Sequence, residues 1–300
     1  MERVTSKYAD WTRGQVEALI NIIGEENAKG LLSGDISAES KEVIKKLFDK
    51  HGRRIPEGLQ ANVCDPNRDF RLERPKLDEE VDFANRIMRL HECLSIDTEV
   101  TVEQLKAETE RLLAIIGENS RIANIANGVC LPVVLPKLVT DDLGAELELY
   151  LAGVKNSYAK TFGDRTFYNH RKSTLANEVS IVDGSRHDQL VSRMKECPVI
   201  GLYFPNPLQG FSIHADREQM STLPEGFVLS GMDTPIAMAM YPDVLARDWN
   251  TPGLDMAALQ WQSADYSLNF KANGDKLDFG YTGPLAYVYD YYSGGLLFLG

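Results

Sequence analysis

Two short segments of the sequence carry side chains suited to acid–base chemistry. One contains His170 and Arg171, and the other contains His187 and Asp188. A carboxylate that orients a histidine is the usual arrangement of a general base, but adjacent residues of a strand or helix point apart. No serine elbow or activated cysteine motif accompanies these segments. They therefore support only the alternative hypothesis, a small-molecule enzyme that uses the His170/Arg171 and His187/Asp188 region.

Metal and cofactor sites have no support in the sequence. The four cysteines, Cys64, Cys93, Cys130 and Cys197, lack the CxxC spacing of zinc sites and redox motifs. The spacing of His91 and Cys93 puts them on different faces of a helix. We therefore expect free thiols, no metal, no cofactor and no catalytic residue.

A group of tyrosines near the C-terminus is the strongest candidate for a binding site. The candidate ligand-binding residues are Tyr281, Tyr287, Tyr289, Asp290, Tyr291 and Tyr292. Tyrosine offers a large amphipathic contact area at a low cost in conformational entropy, which is why antibody paratopes are rich in it. Tyrosine also has a high β-propensity, so an alternative is that these rings only cover the edge of a sheet. Since a serine and two glycines follow, we expect Tyr291 and Tyr292 to lie in a loop and point outward.

A hairpin is predicted just before these tyrosines. Apolar and polar residues alternate from Tyr266 to Ala272, which is typical of a half-buried strand. Asn273-Gly274 then predicts a type I′ turn, because both positions of that turn need a positive φ. With these two residues as the loop, Phe270 faces Leu277, and the apolar side chains of both strands share one face.

Two further strands are predicted after the hairpin. Leu285 to Tyr289 has strand character, and the unbroken apolar run from Leu296 to Leu299 indicates a strand that is buried on both faces. An apolar terminus of this kind must dock, because otherwise it would fray and expose a sticky end.

The first fifty residues have the spacing of short amphipathic helices. Thr12 and Gln15 predict a capping box at the start of the first helix. A third helix is predicted after Ser37, and its apolar face includes Val43, Ile44, Leu47 and Phe48. This face more often forms the module's own core than a groove for a partner.

Periodicity divides the chain into a helical module over 1–52, a proline-rich irregular linker over 53–76 and a larger domain over 77–300. The larger domain has a helical part over 77–163 and a β-rich part over 164–300. The predicted fold class is therefore α+β: a small N-terminal helical module followed by a mixed α+β domain that ends in an antiparallel β region.

The amino-acid composition bears on which partners the protein can bind and in which compartment it works. The chain has 300 residues and a formal net charge of −12, which argues against broad electrostatic binding to nucleic acid or anionic membranes. No apolar stretch approaches the roughly 18 residues of a membrane span, and the N-terminus lacks the apolar core of a signal peptide. We expect a cytoplasmic protein with no nucleic-acid partner and no membrane span. Its partner is an unknown protein or a small-molecule ligand.

Several stretches carry a resemblance: the opening T-x-G-Q-x-E-A-L that begins at Thr12, the middle FYNHRK and PVIGLYFPNPLQGFS, and the closing YSGGLLFLG. They resemble a family of uncharacterised proteins from uncultivated small-genome bacteria, a family with no established activity to transfer. The closing segment is also similar to the variable proteins of diversity-generating retroelements, which place a C-terminal variable region on a C-type-lectin-like scaffold.

The second resemblance implies a lectin-like C-terminal region in which the tyrosines bind ligand. The residues that it implies as scaffold are Gly280, Leu285, Gly294, Leu296 and Leu297. Asp248-Trp249-Asn250 inverts the Trp-Asn-Asp order of the lectin calcium motif, and this departure puts a calcium site in question.

The leading hypothesis is a non-enzymatic binding protein that displays a tyrosine-rich C-terminal surface on a lectin-like scaffold. The enzyme described above is the main alternative. A structural or assembly role, in which the helical module pairs with a partner, is a third.

Overall fold

The computed structural model describes residues 11–37, 44–77, 82–96 and 98–300, and the chain divides into two units, Met1–Ile44 and Lys45–Gly300. In the first unit the described residues form helices α1 (Arg13–Ile23) and α2 (Glu25–Ser33). The predicted capping box is confirmed, because Gln15 N donates to Thr12 Oγ1 and Thr12 N donates to Gln15 Oε1. None of the described residues in α1 and α2 is buried.

The third predicted helix is wrong in the part that the structure describes. Leu47 and Phe48 belong to the second unit, lie outside any helix and are buried. Phe48 forms a β-bridge with Arg54, and its ring centroid lies 6.2 Å from that of Phe227. The helical spacing of these apolar residues therefore reflects burial in the core of the larger unit. Val43 lies outside the described residues.

The second unit is built on a mixed sheet of eight strands with an additional pair of strands, which confirms the α+β class. The strands are β1 (Leu131–Leu135), β2 (Thr166–Asn169), β3 (Val179–Ile181), β4 (Val199–Gln209), β5 (Phe227–Leu229), β6 (Gly253–Asp255), β7 (Leu259–Trp261), β8 (Ser267–Asn273), β9 (Lys276–Thr282) and β10 (Tyr292–Phe298). The order in the main sheet is β1-β4-β10-β6-β8-β9-β2, with β5 also paired to β10, while β3 pairs with β7. The sheet is not purely antiparallel, since β10 runs parallel to β6 and β2 runs parallel to β9.

Helices pack against this sheet. In the second unit they are α3 (Phe83–Arg89), α4 (Val102–Glu118), α5 (Leu143–Phe162), α6 (His187–Glu196), α7 (Ile213–Glu218), α8 (Asp233–Met240) and α9 (Pro242–Leu245). The longest, α5, is tied to α8 by a hydrogen bond from Ser157 Oγ to Ala239 O at 2.6 Å. Among the described helices, none is long and apolar enough to cross a membrane.

Strand β4 continues through Pro205-Asn206-Pro207. The register between β4 and β10 shifts between Gly294 and Leu296, which pair with Leu208 and Phe204. The prolines thus lie at a β-bulge, one of the few places in a sheet where a missing N–H is tolerated.

Residues 53–76, the predicted linker, contain no helix or strand in the structure. Their backbone is nevertheless fastened to the second unit. Arg54 N donates to Pro207 O, Cys64 N donates to Gly210 O, and Arg71 N donates to Asn250 O, at 2.8, 2.8 and 2.9 Å. This segment therefore holds its side chains in fixed positions beside the end of β4.

The C-terminal strand lies in the middle of the sheet. β10 pairs with β4, β5 and β6, and Leu296, Leu297, Phe298 and Leu299 are all buried. The predicted docking of the apolar terminus is confirmed.

The hairpin of β8 and β9 forms, but in a different register from the predicted one. Asn273 pairs with Lys276 and Phe270 pairs with Phe279, so the loop is Gly274-Asp275. Lys271 then lies opposite Asp278, whereas the predicted register would place it opposite Lys276. The pair of opposite charges is the more favourable cross-strand pair. A shift of two residues keeps every side chain on its predicted face, and for this reason the apolar pattern alone did not separate the two registers.

Replacing Gly274 by valine should lower the free energy of unfolding by about 1–2 kcal/mol, because an L-residue is strained at positive φ. Gly274 has φ +62°, and a Cβ there would meet no atom within 4 Å, so the cost is conformational. Asp275→Val is the matched control, since the neighbouring loop position does not share the positive φ. Chemical denaturation of both variants measures the effect, and equal midpoints would show that the turn tolerates the side chain.

Candidate binding surface

Three of the predicted binding residues meet where β10 begins. The ring centroids of Tyr289 and Tyr291 lie 5.8 Å apart, those of Tyr289 and Tyr292 lie 5.5 Å apart, and those of Tyr291 and Tyr292 lie 5.3 Å apart. These distances fall in the favourable range for tilted aromatic pairs. The three rings form one packed group.

The backbone of this group is held from three sides. Asp290 O accepts hydrogen bonds from Asn67 N at 2.9 Å and from Gln209 Nε2 at 3.1 Å. Gly253 N donates to Tyr291 O at 2.9 Å. The predicted binding residue Asp290 thus contributes through its backbone, which fixes the rings on either side of it.

Two residues that sequence reasoning missed extend the group. The ring of Phe70 lies 5.1 Å from that of Tyr291 and makes an edge contact at 6.0 Å with Trp249. Trp249 is 59% exposed, although it is the largest side chain in its loop. The only signal for it in the sequence is an aromatic residue within an otherwise polar loop, and nothing in the sequence indicates its contact with Phe70.

The ammonium group of Lys271 lies over the rings of Tyr291 and Tyr292. Lys271 Nζ lies 4.8 Å from the ring centroid of Tyr291 and 5.7 Å from that of Tyr292. An ammonium group at this distance over a ring is attracted by the ring quadrupole. We call the set of Phe70, Trp249, Lys271, Tyr289, Tyr291 and Tyr292 the aromatic surface.

The prediction that Tyr292 lies in a loop and points outward is wrong. Its ring instead supports the aromatic surface. Tyr292 is the first residue of β10, it is half-buried, and it pairs with Gly253. A Cβ at position 253 would lie only 2.6 Å from the tyrosine ring, so glycine is needed for the ring to lie there. Burial raises the pKa of the Tyr292 hydroxyl. The exposed members are Trp249 and Tyr289, which is 37% exposed.

Tyr281 belongs to a separate aromatic cluster. Its ring contacts those of Trp261 at 5.3 Å and Tyr266 at 5.2 Å. The Arg171 guanidinium lies 5.0 Å from its centroid and 4.9 Å from that of Trp261. Arg171 therefore has a packing role in this second cluster.

Tyr287 stands apart from both clusters and is 62% exposed. The strand predicted over Leu285 to Tyr289 is wrong. Tyr287 N donates to Pro284 O, which closes a turn, and Asn62 Nδ2 donates to Ala286 O. These local partners satisfy the backbone without a neighbouring strand.

His187 is fully buried and has its ring fixed by backbone groups. Met232 N donates to Nε2 at 3.0 Å, so Nδ1 carries the proton and donates to Leu229 O at 3.0 Å. Burial lowers the pKa of His187, and its neighbour Asp188 is exposed. The pair predicted as the enzymatic alternative thus points in opposite directions, and the histidine has no free nitrogen.

His170 is half-exposed and lies elsewhere. Its Nε2 is 3.4 Å from Asp278 Oδ1, and its ring meets the edge of Tyr168. The described hydrogen bonds, ion pairs and ring contacts of His170 and His187 have no residue in common. The structure therefore does not assemble the two histidine segments into one site.

Two buried carboxyl groups lie next to Gly294 of β10. Asp255 pairs with Gly294, and its Oδ1 accepts a hydrogen bond from Thr282 Oγ1 at 3.0 Å. Asp216 lies so close that a Cβ at position 294 would be 2.3 Å from its Oδ2. Burial raises the pKa of Asp255 to about 7. Burial, with the negative charge of Asp255 as a second cause, raises the pKa of Asp216 well above its usual range.

In the ranges that the structure covers, no three histidine, cysteine, aspartate or glutamate residues are grouped so that they could hold a metal ion. No protein-family model, curated protein or solved structure matches this chain.

Proposed function

We propose that the chain is a non-enzymatic binding protein that recognises a protein or small-molecule ligand at the aromatic surface. One observation supports this above the others: an unbroken series of ring contacts leads from the half-buried Tyr292 to the exposed Trp249. Aromatic anchors held by a packed base lose little entropy on binding, and for this reason tryptophan and tyrosine dominate binding hot spots.

The position of this surface supports the proposal further. It is built where an irregular segment, the 249 loop and the start of β10 meet, so that loops present the side chains and the sheet fixes them. The enzymatic alternative is weaker, because His187 has both ring nitrogens engaged by the backbone. The C-type-lectin-like scaffold and variation at this surface among relatives belong to the proposal as predictions from resemblance.

We also place the protein in the cytoplasm without a nucleic-acid partner. The free state of Cys64, Cys93, Cys130 and Cys197 fits a reducing compartment, and the net charge of −12 opposes broad attraction to a polyanion.

The test uses a peptide selected from a random displayed library on the immobilised full chain. Replacing Trp249 and Tyr289 together by alanine should weaken binding of this peptide by about 30-fold or more, since even one hot-spot residue contributes about 2 kcal/mol or more. Titration calorimetry measures the loss, and thermal melting checks that the variant folds.

Tyr168→Ala is the matched control, because Tyr168 is an aromatic residue that is 57% exposed in another part of the sheet. It should bind the peptide as the unchanged chain does. Retained affinity in a folded Trp249/Tyr289 double variant would place recognition elsewhere and defeat the proposal.

A further inference from the structure

Beside the aromatic surface lies a cavity of about 270 Å³ with a concentration of positive charge. Its basic lining residues are His51, Arg53, Arg68, Arg71 and Arg74, and none of the described aspartates or glutamates lines it. We call it the arginine pocket. Such a group is unexpected in a chain whose net charge is −12.

Three of these arginines have no partner among the described carboxylates. Within the described part of the chain, no carboxylate oxygen lies within 4.0 Å of the guanidinium nitrogens of Arg68, Arg71 or Arg74. The neighbouring Arg247, by contrast, is paired with Glu73 at 2.6 Å and Asp248 at 2.9 Å. The guanidinium N–H groups of these three arginines can therefore donate hydrogen bonds to a ligand or to water.

The fourth arginine is partly buried at the base of the pocket. Arg53 is held by a hydrogen bond of 2.6 Å to Gln209 O, and its Nε is buried without a hydrogen-bond partner. Burial lowers the pKa of Arg53, and the positive charge of Arg68 lowers it further, while Asp49 and Asp65 oppose the shift from outside the lining. Arg53 and Arg68 thus repel each other, and an anion between them would turn this repulsion into attraction.

We propose that the arginine pocket binds a ligand that contains two linked phosphate groups. Guanidinium groups match the geometry of phosphate oxygens and form paired, charge-assisted hydrogen bonds with them. A single phosphate group carries a charge of about −1.5 to −2 at neutral pH, so two of them balance four arginines.

The surroundings indicate where the rest of such a ligand would lie. Arg68 and Arg71 also line a second depression of about 280 Å³, whose wall includes Trp249 and Asn250. Phe70 lines the arginine pocket and contacts Trp249 at the same time. A planar ring attached to the phosphates would therefore reach the exposed tryptophan.

The experiment titrates inorganic pyrophosphate into the full chain at low ionic strength and measures heat. Arg68→Gln/Arg71→Gln should weaken binding by about tenfold or more, because it removes two charge-assisted contacts from exposed positions that carry no packing role. Arg111→Gln/Arg193→Gln is the matched control: both arginines are exposed, lie outside the pocket, and give the same change in net charge. This control should bind pyrophosphate within about twofold of the unchanged chain.

Three outcomes would overturn the proposal: no heat with the unchanged chain, equal weakening in both double variants, or inorganic phosphate binding as tightly as pyrophosphate. The last would assign the pocket to a single phosphate group. Heat that is lost only in the Arg68/Arg71 variant supports the proposal.

A second titration, with adenosine diphosphate, distinguishes a nucleotide-like ligand from a free diphosphate. Tighter binding than pyrophosphate, with the gain removed by Trp249→Ala, identifies a nucleotide-like ligand that uses both sites. Equal binding identifies the free diphosphate as the ligand. The pyrophosphate result does not depend on the aromatic surface, so failure of the peptide test leaves it intact, and the converse also holds.

Discussion

Deleting Leu296–Gly300 should abolish cooperative unfolding of the second unit. Four large apolar side chains lose their burial at about 1.5–3 kcal/mol each, so the total of about 6–12 kcal/mol is comparable to the roughly 5–15 kcal/mol by which a domain is stable. The deletion also removes every pairing of β10 with β5 and its pairing with Leu202–Phe204 of β4, so the backbone of β5 loses its partner in the sheet. Circular dichroism on heating and binding of a hydrophobic dye would report a molten or aggregated chain.

Two single variants show how much of this loss of stability comes from the burial of one side chain. Leu297→Ala removes a fully buried side chain and should cost about 2–5 kcal/mol, whereas Leu32→Ala removes one that is 89% exposed and should change little. A truncated chain that melts cooperatively at the temperature of the unchanged chain would disprove the central role of β10.

Local signals in the sequence were reliable where one segment decides the outcome. The capping box at Thr12 appears as predicted, because a cap involves residues only three positions apart. The buried C-terminal strand was predictable for the same reason, since four successive apolar residues can be satisfied only by burial.

Long-range packing was not predictable in this way. Leu47 and Phe48 have helical spacing, yet a distant core decides their structure. Phe70 and Trp249 join Tyr291 from segments far apart in the sequence, and no periodic pattern links them. The arginines of the pocket occur singly in a segment without regular structure, so only the fold shows that they converge.

Asp216 shows a related difficulty. Ser212 caps α7, and Asp216 lies inside the helix with its carboxyl group buried. Neither carboxyl oxygen has a hydrogen-bond partner in the described structure. An aspartate is usually solvated, so the residue type does not predict this burial. It becomes apparent only in the fold, where Gly294 packs directly against the carboxyl group.

The two buried acids should make the protein less stable as the pH rises from about 4 to above 7. Aspartate in an unfolded chain has a pKa near 3.9, whereas burial raises that of Asp255 to about 7 and that of Asp216 well above its usual range. The folded state therefore binds more protons than the unfolded state in this interval. Linkage then requires the free energy of unfolding to fall as pH increases.

Asp255→Asn should flatten this dependence. The shift of Asp255 by about three pKa units corresponds to about 4 kcal/mol between pH 4 and pH 8, at about 1.36 kcal/mol per unit. The variant keeps an oxygen that can accept from Thr282 and also removes the negative charge that raises the pKa of Asp216. Its stability should come closest to that of the unchanged chain at or below about pH 4, and it should be the more stable of the two at pH 8.

Urea denaturation at a series of pH values measures the difference, with Asp265→Asn as the control because Asp265 is exposed on a loop. The control should follow the pH dependence of the unchanged chain throughout. The Asp255 curve should separate from it above about pH 4, and the difference should grow until about pH 7, where the buried acid of the unchanged chain ionises and the difference levels off. Parallel curves for all three proteins would mean that Asp255 is solvated in solution, and the buried pair beside Gly294 would then lose its role in setting the stability of the fold.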